Sequence, residues 1–305
     1  MIVRTRKLQC RPGQLKFDTW RKPQFRAIAR SSKNNNVLEN AHCVVTGGSR
    51  GIGLGIAKAL ALHGAACLLV GKNKLKLESA VQELDDLSLS RARQREDGEE
   101  RPGPKHLFTH GDINNGTDIW NSVSDAMKVS WAASSPDVLV NAAGVTHSSF
   151  LVRMSEAQIH EILQTNLTGT ILASRWAAKN MLRNKKSGSD MDHGCIINVA
   201  SLLGLQGGAG SSVYAASKAG VLGFTRALAS ELGPAGIRVN AIVPGYVETD
   251  MTDSMSAKAR EEALARIPLK RFGVVDEIAE AAVLLATNRY ANNCVLNLDG
   301  GMSAT

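Results

Sequence analysis

The sequence predicts an α/β fold, a single doubly wound domain in which helices cover both faces of a seven-stranded parallel sheet. From residue 41 onward, short apolar runs alternate with helical patterns. The runs are apolar throughout, which is typical of parallel strands that are buried on both faces. A glycine cluster follows the first run and precedes the first helical pattern. The roughly 265 residues of this region are enough for one large domain.

The strands and helices follow from these patterns in order. Seven apolar runs predict strands at 42–46, 65–70, 106–109, 137–141, 195–200, 237–243 and 294–298. Helical patterns occur at 51–63, 73–86, 117–129, 155–183, 211–233, 253–266 and 275–286. The segment 155–183 is long enough for two helices. Because each helix returns the chain to the edge of the sheet where the preceding strand began, the alternation predicts parallel pairing.

Two polar segments interrupt this alternation. Residues 85–104 are rich in charged side chains and poor in apolar ones, and residues 184–194 are similarly polar. Both compositions are typical of exposed loops. We therefore expect two loop insertions and assign a binding site to neither.

The first 40 residues differ in composition from the rest of the chain. They contain ten Lys or Arg and two acidic residues, so their net charge is +8. A basic, acid-poor segment without an apolar core is typical of a mitochondrial transit peptide. We therefore expect residues 1–40 to be a mitochondrial leader and residues 41–305 to be the folded domain. The alternative is a tail that binds RNA or nothing.

Charge and composition argue against several classes of protein. Residues 41–305 contain 26 basic and 26 acidic residues, whereas a nucleic-acid-binding domain needs a basic face. No apolar run approaches the ~18 residues of a membrane span, so we expect none. His106 and His110 have helical spacing but lie in a strand-like run without a carboxylate partner, so we expect no metal site.

A glycine-rich turn joins the first predicted strand to the first predicted helix, and residues 46–53 read TGGSRGIG. Glycines let the backbone approach a pyrophosphate, and the free N–H groups at the start of a helix bind the anion. In this context the turn predicts a dinucleotide site of the Rossmann type. Its candidate cofactor residues are Gly47, Ser49, Arg50, Gly51, Ile52 and Gly53.

The end of the second predicted strand indicates which dinucleotide binds. A carboxylate at this place would bind the ribose 2′-hydroxyl of NAD. Gly71 and Lys72 stand there instead, and Arg50 lies in the glycine turn. Two cations without an acid suit a 2′-phosphate, so we predict NADPH. Asp112, after the third strand, either accepts a hydrogen bond from the adenine amino group or caps the following helix.

These motifs resemble those of the short-chain dehydrogenase/reductase family, and they occur in the family's order. The shared motifs are TGGSRGIG at 46–53, NAAG at 141–144, Asn166, Ser201, Tyr214-Ala-Ala-Ser-Lys218 and PGYVETDMT at 244–252. The resemblance covers about residues 41–301. It implies a Rossmann-type domain that transfers a hydride between a nicotinamide and a carbonyl group.

The resemblance implies four catalytic residues. Tyr214 would give a proton to the carbonyl oxygen, and Ser201 would hydrogen-bond that oxygen. Lys218 lies one helical turn after Tyr214, on the same face, where its charge would lower the tyrosine pKa. In the family this lysine also holds the nicotinamide ribose. Asn166 would hold a water that links Lys218 to solvent. Hydride addition needs such a set because the alkoxide it creates has to be protonated.

The resemblance also implies cofactor contacts at the ends of later strands. These candidates are Asn141, Gly144, Pro244, Gly245, Val247 and Thr249, in addition to Tyr214 and Lys218. The alternative for Asn141 is a tie between neighbouring strands. Residues 252–270 would form a mobile lid over the substrate.

Residues 240–273 resemble the 3-oxoacyl-[acyl-carrier-protein] reductases of dissociated fatty acid synthesis. This resemblance implies NADPH-dependent reduction of a 3-oxoacyl-[acyl-carrier-protein] in mitochondria by a homotetramer. Arg175, Lys179 and Arg183 are spaced i, i+4, i+8 on one predicted helix and form a basic stripe. The stripe would dock the acidic carrier protein. The alternatives are a solvated helix face or a subunit interface.

Two other functions remain open from the sequence. The first is a reductase of free carbonyls, quinones or hydroxysteroids that uses the same chemistry. The second is a non-catalytic subunit or an RNA-binding protein that keeps the fold. The presence of Asn166, Ser201, Tyr214 and Lys218 together argues against the second.

Overall fold

Seven parallel strands form the centre of the part of the chain that the computed structural model describes, namely residues 37–93, 103–183, 194–253 and 255–304. The strands are β1 (His42–Thr46), β2 (Ala66–Gly71), β3 (Leu107–His110), β4 (Val138–Asn141), β5 (Gly194–Val199), β6 (Ile237–Pro244) and β7 (Val295–Leu298). Their order in the sheet is β3-β2-β1-β4-β5-β6-β7, and each neighbouring pair is parallel. The predicted seven-stranded parallel sheet is therefore confirmed.

The strand order reverses beside β1. The chain starts at β1, moves outward to β3, and then returns to place β4 on the other side of β1. In the register of this pair, Thr46 lies opposite Asn141, so both strands end at the same level. A reversal of this kind opens a crevice at the carboxyl ends of the strands, where ligands of doubly wound sheets bind.

Helices follow most of the strands. They are α1 (Gly51–Leu62), α2 (Lys74–Arg93), α3 (Thr117–Trp131), α4 (Glu156–Leu163), α5 (Gly169–Arg183), α6 (Leu203–Gln206), α7 (Ser212–Leu232), α8 (Asp250–Asp253), α9 (Ala257–Arg266) and α10 (Val275–Thr287). A π-helical turn at Gln164–Thr168 separates α4 from α5, as the length of the predicted helix 155–183 suggested. Among the described residues, no helix is both long enough and apolar enough to cross a bilayer.

Two apolar layers hold the helices against the sheet. Along β1, Cys43 and Val45 belong to the layer under α1, α2 and α10, while Val44 belongs to the layer under α3, α5 and α7. This division follows from the alternation of side chains along a strand. Both layers are inaccessible to solvent at β1, which explains why the strand is apolar without a polar face.

Three predicted boundaries need correction. Helix α2 continues to Arg93, so the first polar segment (85–104) begins as helix. Although the sequence is charged there, Leu84 and Ser88 are buried and face the interior. Ser88 Oγ lies 2.8 Å from Nε2 of His106, which ties this part of α2 to the sheet. The remainder of that segment (94–102) and residues 184–193 of the second lie outside the described residues.

The other two corrections concern the start of the domain and the lid. Leu38 is buried and its N–H donates to the His63 carbonyl at 3.1 Å, so the folded body begins before residue 41. Most of the predicted leader, residues 1–36, lies outside the described residues. The helix predicted at 253–266 begins instead at Ala257, because the Ser256 side chain accepts a hydrogen bond from the Ala259 N–H and caps it there.

Candidate active site

A cavity of about 470 Å³ lies at the carboxyl ends of the central strands. This volume is within the usual range for small-molecule sites, about 300–1,000 Å³. Its wall is formed by the glycine turn, the end of β2, residues 142–145, the region around Ser201 and α7, and residues 244–252. The motifs that the sequence analysis singled out therefore converge on one place.

The glycine turn forms a cradle that has no room for side chains. Gly47 and Gly51 have φ values of +66° and +53°, which favour glycine. A Cβ on Gly47 would lie 2.8 Å from the backbone of Ala143, and one on Gly53 would overlap the Gly47 carbonyl oxygen. No side chain caps the first turn of α1, so its N–H groups are available to an anion. The cradle thus fits the pyrophosphate of a dinucleotide.

Three cationic side chains line the other part of the cavity. Arg50 and Lys72 are both there, as the NADPH prediction requires, and each contacts a carboxylate. Nη1 of Arg50 lies 2.9 Å from Oδ2 of Asp250, and Nζ of Lys72 lies 2.8 Å from Oδ2 of Asp112. The third cation is Lys76, in the first turn of α2. We did not single it out in the sequence, although it follows Lys72 by four residues.

Asp112 does not cap a helix. Helix α3 starts after Gly116 and has no side-chain cap. Oδ1 of Asp112 instead accepts the N–H of Asn114 at 2.9 Å, while its other oxygen contacts Lys72. Its neighbours Gly111 and Ile113 line the cavity. The helix-cap alternative is therefore wrong, and the adenine contact stays a prediction.

Ser201, Tyr214 and Lys218 meet at one wall of the cavity. Ser201 follows the end of β5, while Tyr214 and Lys218 lie one turn apart on α7. The Tyr214 hydroxyl hydrogen-bonds the Ser201 side chain. Nζ of Lys218 donates to the Val199 carbonyl at 2.8 Å and lies 5.8 Å from the centre of the Tyr214 ring. The hydroxyl groups of Ser201 and Tyr214 and the ammonium group of Lys218 therefore lie at the same wall of the cavity.

Desolvation dominates the titration of this wall. Burial raises the pKa of Tyr214, and the hydrogen bond from Ser201 lowers it in part. Burial lowers the pKa of Lys218 to about 8. We expected the charge of Lys218 to lower the tyrosine pKa. The net pKa shift of Tyr214 is nevertheless upward, with burial as its largest cause, and Nζ of Lys218 donates to the Val199 carbonyl.

Asn166 lies in the π-helical turn, where the backbone is locally widened. Its side chain is buried and fully occupied: Oδ1 accepts the Val145 N–H at 2.8 Å, while Nδ2 donates to the Val145 carbonyl at 2.9 Å and to Ser217 Oγ at 3.0 Å. The amide thus joins the loop after β4 to α7. A water relay through Asn166 would have to use its main-chain carbonyl, which accepts the Thr170 hydroxyl at 2.8 Å.

Asn141 ties secondary structure elements together, which was the alternative to a cofactor contact. Its Nδ2 donates to Asn198 Oδ1 at 2.8 Å and to Ser174 Oγ at 3.0 Å, inside the core. Residues 142–145, which follow it, line the cavity instead. Gly144 lies close to the catalytic wall, since a Cβ there would lie 3.5 Å from Nζ of Lys218.

The segment after β6 closes the cavity from the opposite side. Pro244, Gly245, Val247 and Thr249 all line it, and their contact with the cofactor stays a prediction. Gly245 packs closely on the backbone of Asp299, and a Cβ on Gly51 would lie 3.7 Å from the Thr249 side chain. The segment that leads into the predicted lid (252–270) therefore rests on the glycine turn.

The basic stripe lies on the outer face of α5. Arg175, Lys179 and Arg183 are exposed, whereas Ala177 and Met181 between them are buried. The three cations are thus directed away from the core and away from the cavity lining. This face is accessible to a protein partner in the isolated chain.

A family profile decides between the possible classes of doubly wound protein. The profile described as short chain dehydrogenase matches residues 41–260, which include the glycine turn and the wall of Ser201, Tyr214 and Lys218. The chain belongs to the short-chain dehydrogenase family. It is an oxidoreductase with a site for a nicotinamide cofactor.

Curated relatives of this short-chain dehydrogenase match most of its length. A 3-oxoacyl-[acyl-carrier-protein] reductase of Chlamydia muridarum is 38% identical over 273 residues, which cover 88% of this chain and 100% of the relative. Carbonyl reductase family member 4 of Danio rerio is 36% identical over 259 residues, which cover 85% of this chain and 96% of the relative.

A solved structure shares both fold and sequence with this short-chain dehydrogenase. It is an Agrobacterium tumefaciens protein described as a 2-deoxy-D-gluconate 3-dehydrogenase, with NADP bound. The TM-score is 0.74 at 32% identity, and the match covers 90% of this chain and 100% of the other.

Proposed function

We propose that this protein is an NADPH-dependent 3-oxoacyl-[acyl-carrier-protein] reductase of mitochondrial type II fatty acid synthesis. The observation that supports the chemistry is that Ser201, Tyr214 and Lys218 share one cavity with the glycine cradle and with Arg50, Lys72 and Lys76. Such a cavity can hold a phosphorylated dinucleotide at one end and a carbonyl compound at the other.

The bound dinucleotide would supply a hydride, and the chain's own residues would manage the proton. Tyr214 is protonated at neutral pH, since burial raises its pKa above an ordinary value that is already near 10, so its hydroxyl can protonate an alkoxide. Ser201 Oγ accepts the Leu203 N–H at 3.2 Å, and its hydroxyl hydrogen, which hydrogen-bonds Tyr214 in the free protein, would turn to the substrate oxygen. Lys218, with a pKa of about 8, is still mostly a cation at neutral pH and favours the phenolate that proton transfer leaves.

The cofactor preference rests on the charges around the phosphate end. Gly71 and Lys72 occupy the place where a carboxylate would select NAD, and Arg50 and Lys76 face the same space. Together these groups support a 2′-phosphate and hence NADPH. Equal catalytic efficiency with NADH would contradict this part of the proposal.

The substrate class rests on relatives and on a surface. The Chlamydia muridarum relative is named for the carrier-linked reaction. On this chain, exposed Arg175, Lys179 and Arg183 offer a basic face to an acidic carrier protein. A second candidate function, the reduction of free carbonyl compounds, is favoured by the similarity to a carbonyl reductase.

One steady-state comparison separates the two substrates. NADPH oxidation is measured with acetoacetyl-[acyl-carrier-protein] and with a free diketone. We expect kcat/KM to be higher by at least about tenfold for the carrier-linked substrate, because the carrier adds binding energy away from the reacting carbon. A preference for the diketone would contradict the substrate assignment and would favour the second candidate function, the reduction of free carbonyl compounds.

A charge reversal tests the docking surface. The double variant K179E/R183E should raise the KM for the carrier-linked substrate several-fold and leave the diketone reaction unchanged, because rim charges act mainly on association. The reversal K128E, on the exposed face of α3, is the matched control. An unchanged carrier KM would remove the stripe from the docking proposal.

Location and assembly complete the proposal. The basic, acid-poor composition of residues 1–40 supports mitochondrial import. A homotetramer would place residues 155–183 and 211–233 in one interface and β7 near another. Exposed apolar side chains beside β7, namely Leu284, Tyr290 and Val295, support the second interface. A mature protein that begins at Met1 would contradict mitochondrial import. A monomer by light scattering would contradict the homotetramer.

A further inference from the structure

Arg50 and Asp250 join two segments that are far apart in the sequence. Arg50 precedes α1 at the glycine turn, and Asp250 begins α8, the short helix that leads into the lid expected at 252–270. The distance between Nη1 of Arg50 and Oδ2 of Asp250 is 2.9 Å, and the two residues are 200 positions apart. Both line the cavity. The pair therefore connects the lid to the phosphate end of the site.

The pair lines the cavity and is accessible to an anionic ligand. Their side chains are 62% and 57% exposed, so the ion pair can open without unpacking the core. Lys76 adds positive charge near the Asp250 carboxylate. The hydrogen bond from Arg50 holds the pKa of Asp250 below its usual value, so the bound carboxylate stays ionised at lower pH than a free one does. A phosphate that approaches Arg50 therefore meets a guanidinium already bound to a carboxylate.

A phosphate and a carboxylate would compete for this guanidinium. Arg binds both anions through the same fork of N–H donors, and a bidentate phosphate contact uses the outer nitrogens. Two anions that share one cation also repel each other. Lys72 forms a comparable ion pair with Asp112. The Asp112 carboxylate, however, also accepts the Asn114 N–H, which fixes it in place. Asp250, at the first position of a four-residue helix on the lid, is the more exchangeable partner.

We propose that Asp250 competes with the cofactor's 2′-phosphate for Arg50, so that a phosphate-bearing ligand has to release the lid from the glycine turn. This rests on the proposed function in one respect, that Arg50 contacts the 2′-phosphate. Asp250 then weakens the binding of NADP(H) and leaves the binding of NAD(H), which has no 2′-phosphate, unchanged. The lid is bound to the turn in the free protein and released by the phosphate.

Affinity measurements on the full chain test the competition. Titration calorimetry compares wild type with Asp250→Asn, using NADP⁺, NAD⁺ and adenosine 2′,5′-bisphosphate. Exposed ion pairs of this kind are worth up to about a fivefold change in an equilibrium. We expect Asp250→Asn to bind NADP⁺ and the bisphosphate about two- to fivefold more tightly and NAD⁺ with unchanged affinity. Asp253→Asn removes the same charge from the same helix, but Asp253 does not line the cavity, and it should change neither.

A double-mutant cycle separates this inference from the cofactor assignment. In an Arg50→Ala background the substitution Asp250→Asn should have no effect, because the group for which the anions compete is gone. If Arg50→Ala alone left NADP⁺ affinity unchanged, the NADPH assignment of Arg50 would fail. If Arg50→Ala weakened NADP⁺ but Asp250→Asn changed nothing, or tightened NAD⁺ equally, the competition alone would be overturned.

Hydrogen exchange supplies a readout of the lid itself. Peptides that cover α8 and α9 should exchange faster when wild type binds adenosine 2′,5′-bisphosphate, because the ligand breaks the contact to Arg50. Adenosine 5′-monophosphate, without the 2′-phosphate, should not have this effect. In Asp250→Asn the same peptides should exchange fast from the start and respond to neither ligand. Slower exchange of the wild-type lid with the bisphosphate would contradict the proposal.

Discussion

Replacing Lys218 by Met should make the protein inactive and, at neutral pH, more stable. Burial lowers the pKa of Lys218 from 10.5 to about 8. A shift of this size means that holding the buried cation costs about 3 kcal/mol at pH 7. Met has a similar length, but it leaves the Val199 carbonyl without its donor, a loss of about 1–2 kcal/mol. The net gain in the free energy of unfolding should be about 1–2 kcal/mol at pH 7.

The pH dependence is the sharper part of this prediction. The folded protein binds the Lys218 proton less tightly than the unfolded chain does. The cost is therefore fully present below about pH 8 and disappears as the pH rises from about 8 to 10.5. Between pH 7 and pH 10 the advantage of the Met variant over wild type should fall by about 2 kcal/mol.

Urea unfolding at a fixed protein concentration measures both quantities. The matched control is Lys128→Met, the same change on the exposed face of α3, which should alter stability little at either pH. A difference between Lys218→Met and wild type that is the same at pH 7 and pH 10 would refute the reasoning. Burial would then not destabilise the Lys218 cation, and the proposal that Lys218 favours the Tyr214 phenolate would need another explanation.

Two further substitutions test the chemistry and the cradle. Tyr214→Phe should lower turnover by at least about 100-fold, because the proton donor is lost, while NADP⁺ binding by calorimetry stays close to wild type; turnover within about tenfold would remove Tyr214 from the mechanism. Gly53→Ala should weaken NADP⁺ binding by at least about tenfold, because the new Cβ overlaps the Gly47 carbonyl and displaces the turn. Gly223→Ala, where a Cβ has open space, is its control, and equal effects of the two would contradict the cradle.

Much of the fold was predictable because its signals are local. The central strands β1, β2, β4, β5 and β6 are buried on both faces, so each appears as a largely apolar run whose position depends on no distant residue. The prediction failed at the end of α2, where charged residues concealed a helix. The side chains that face the interior there are Leu84 and Ser88. Because serine is polar, its burial adds nothing to the apolar pattern by which a helix is recognised. Its burial is explained by His106, which the chain reaches only through the fold.

The site divides in the same way. The family resemblance singled out Tyr214 and Lys218, and their spacing of four residues placed them on one face of a helix, as α7 has them. The Asn141 side chain, by contrast, has two plausible uses in the sequence, and only the packing of β4 against β5 and α5 selects between them. The ion pair of Arg50 with Asp250 had no signal at all. Arg50 was singled out only for the cofactor phosphate and Asp250 not at all, and their contact depends on the fold that brings the two segments together.

The cation at the catalytic end of the cavity is buried and the one at the phosphate end is exposed, and this difference has a testable consequence. At the catalytic end, Lys218 is buried against a backbone carbonyl, so its charge costs stability and its pKa moves towards neutrality. At the phosphate end, Arg50 is exposed and paired with a carboxylate, so its charge is exchangeable and costs little. Substitutions at the first end should therefore change stability and turnover together. Those at the second should change the choice of cofactor with little effect on unfolding. Because Lys218 and Asp250 share no contact, the combined variant Lys218→Met with Asp250→Asn should show both effects additively, within about 0.5 kcal/mol.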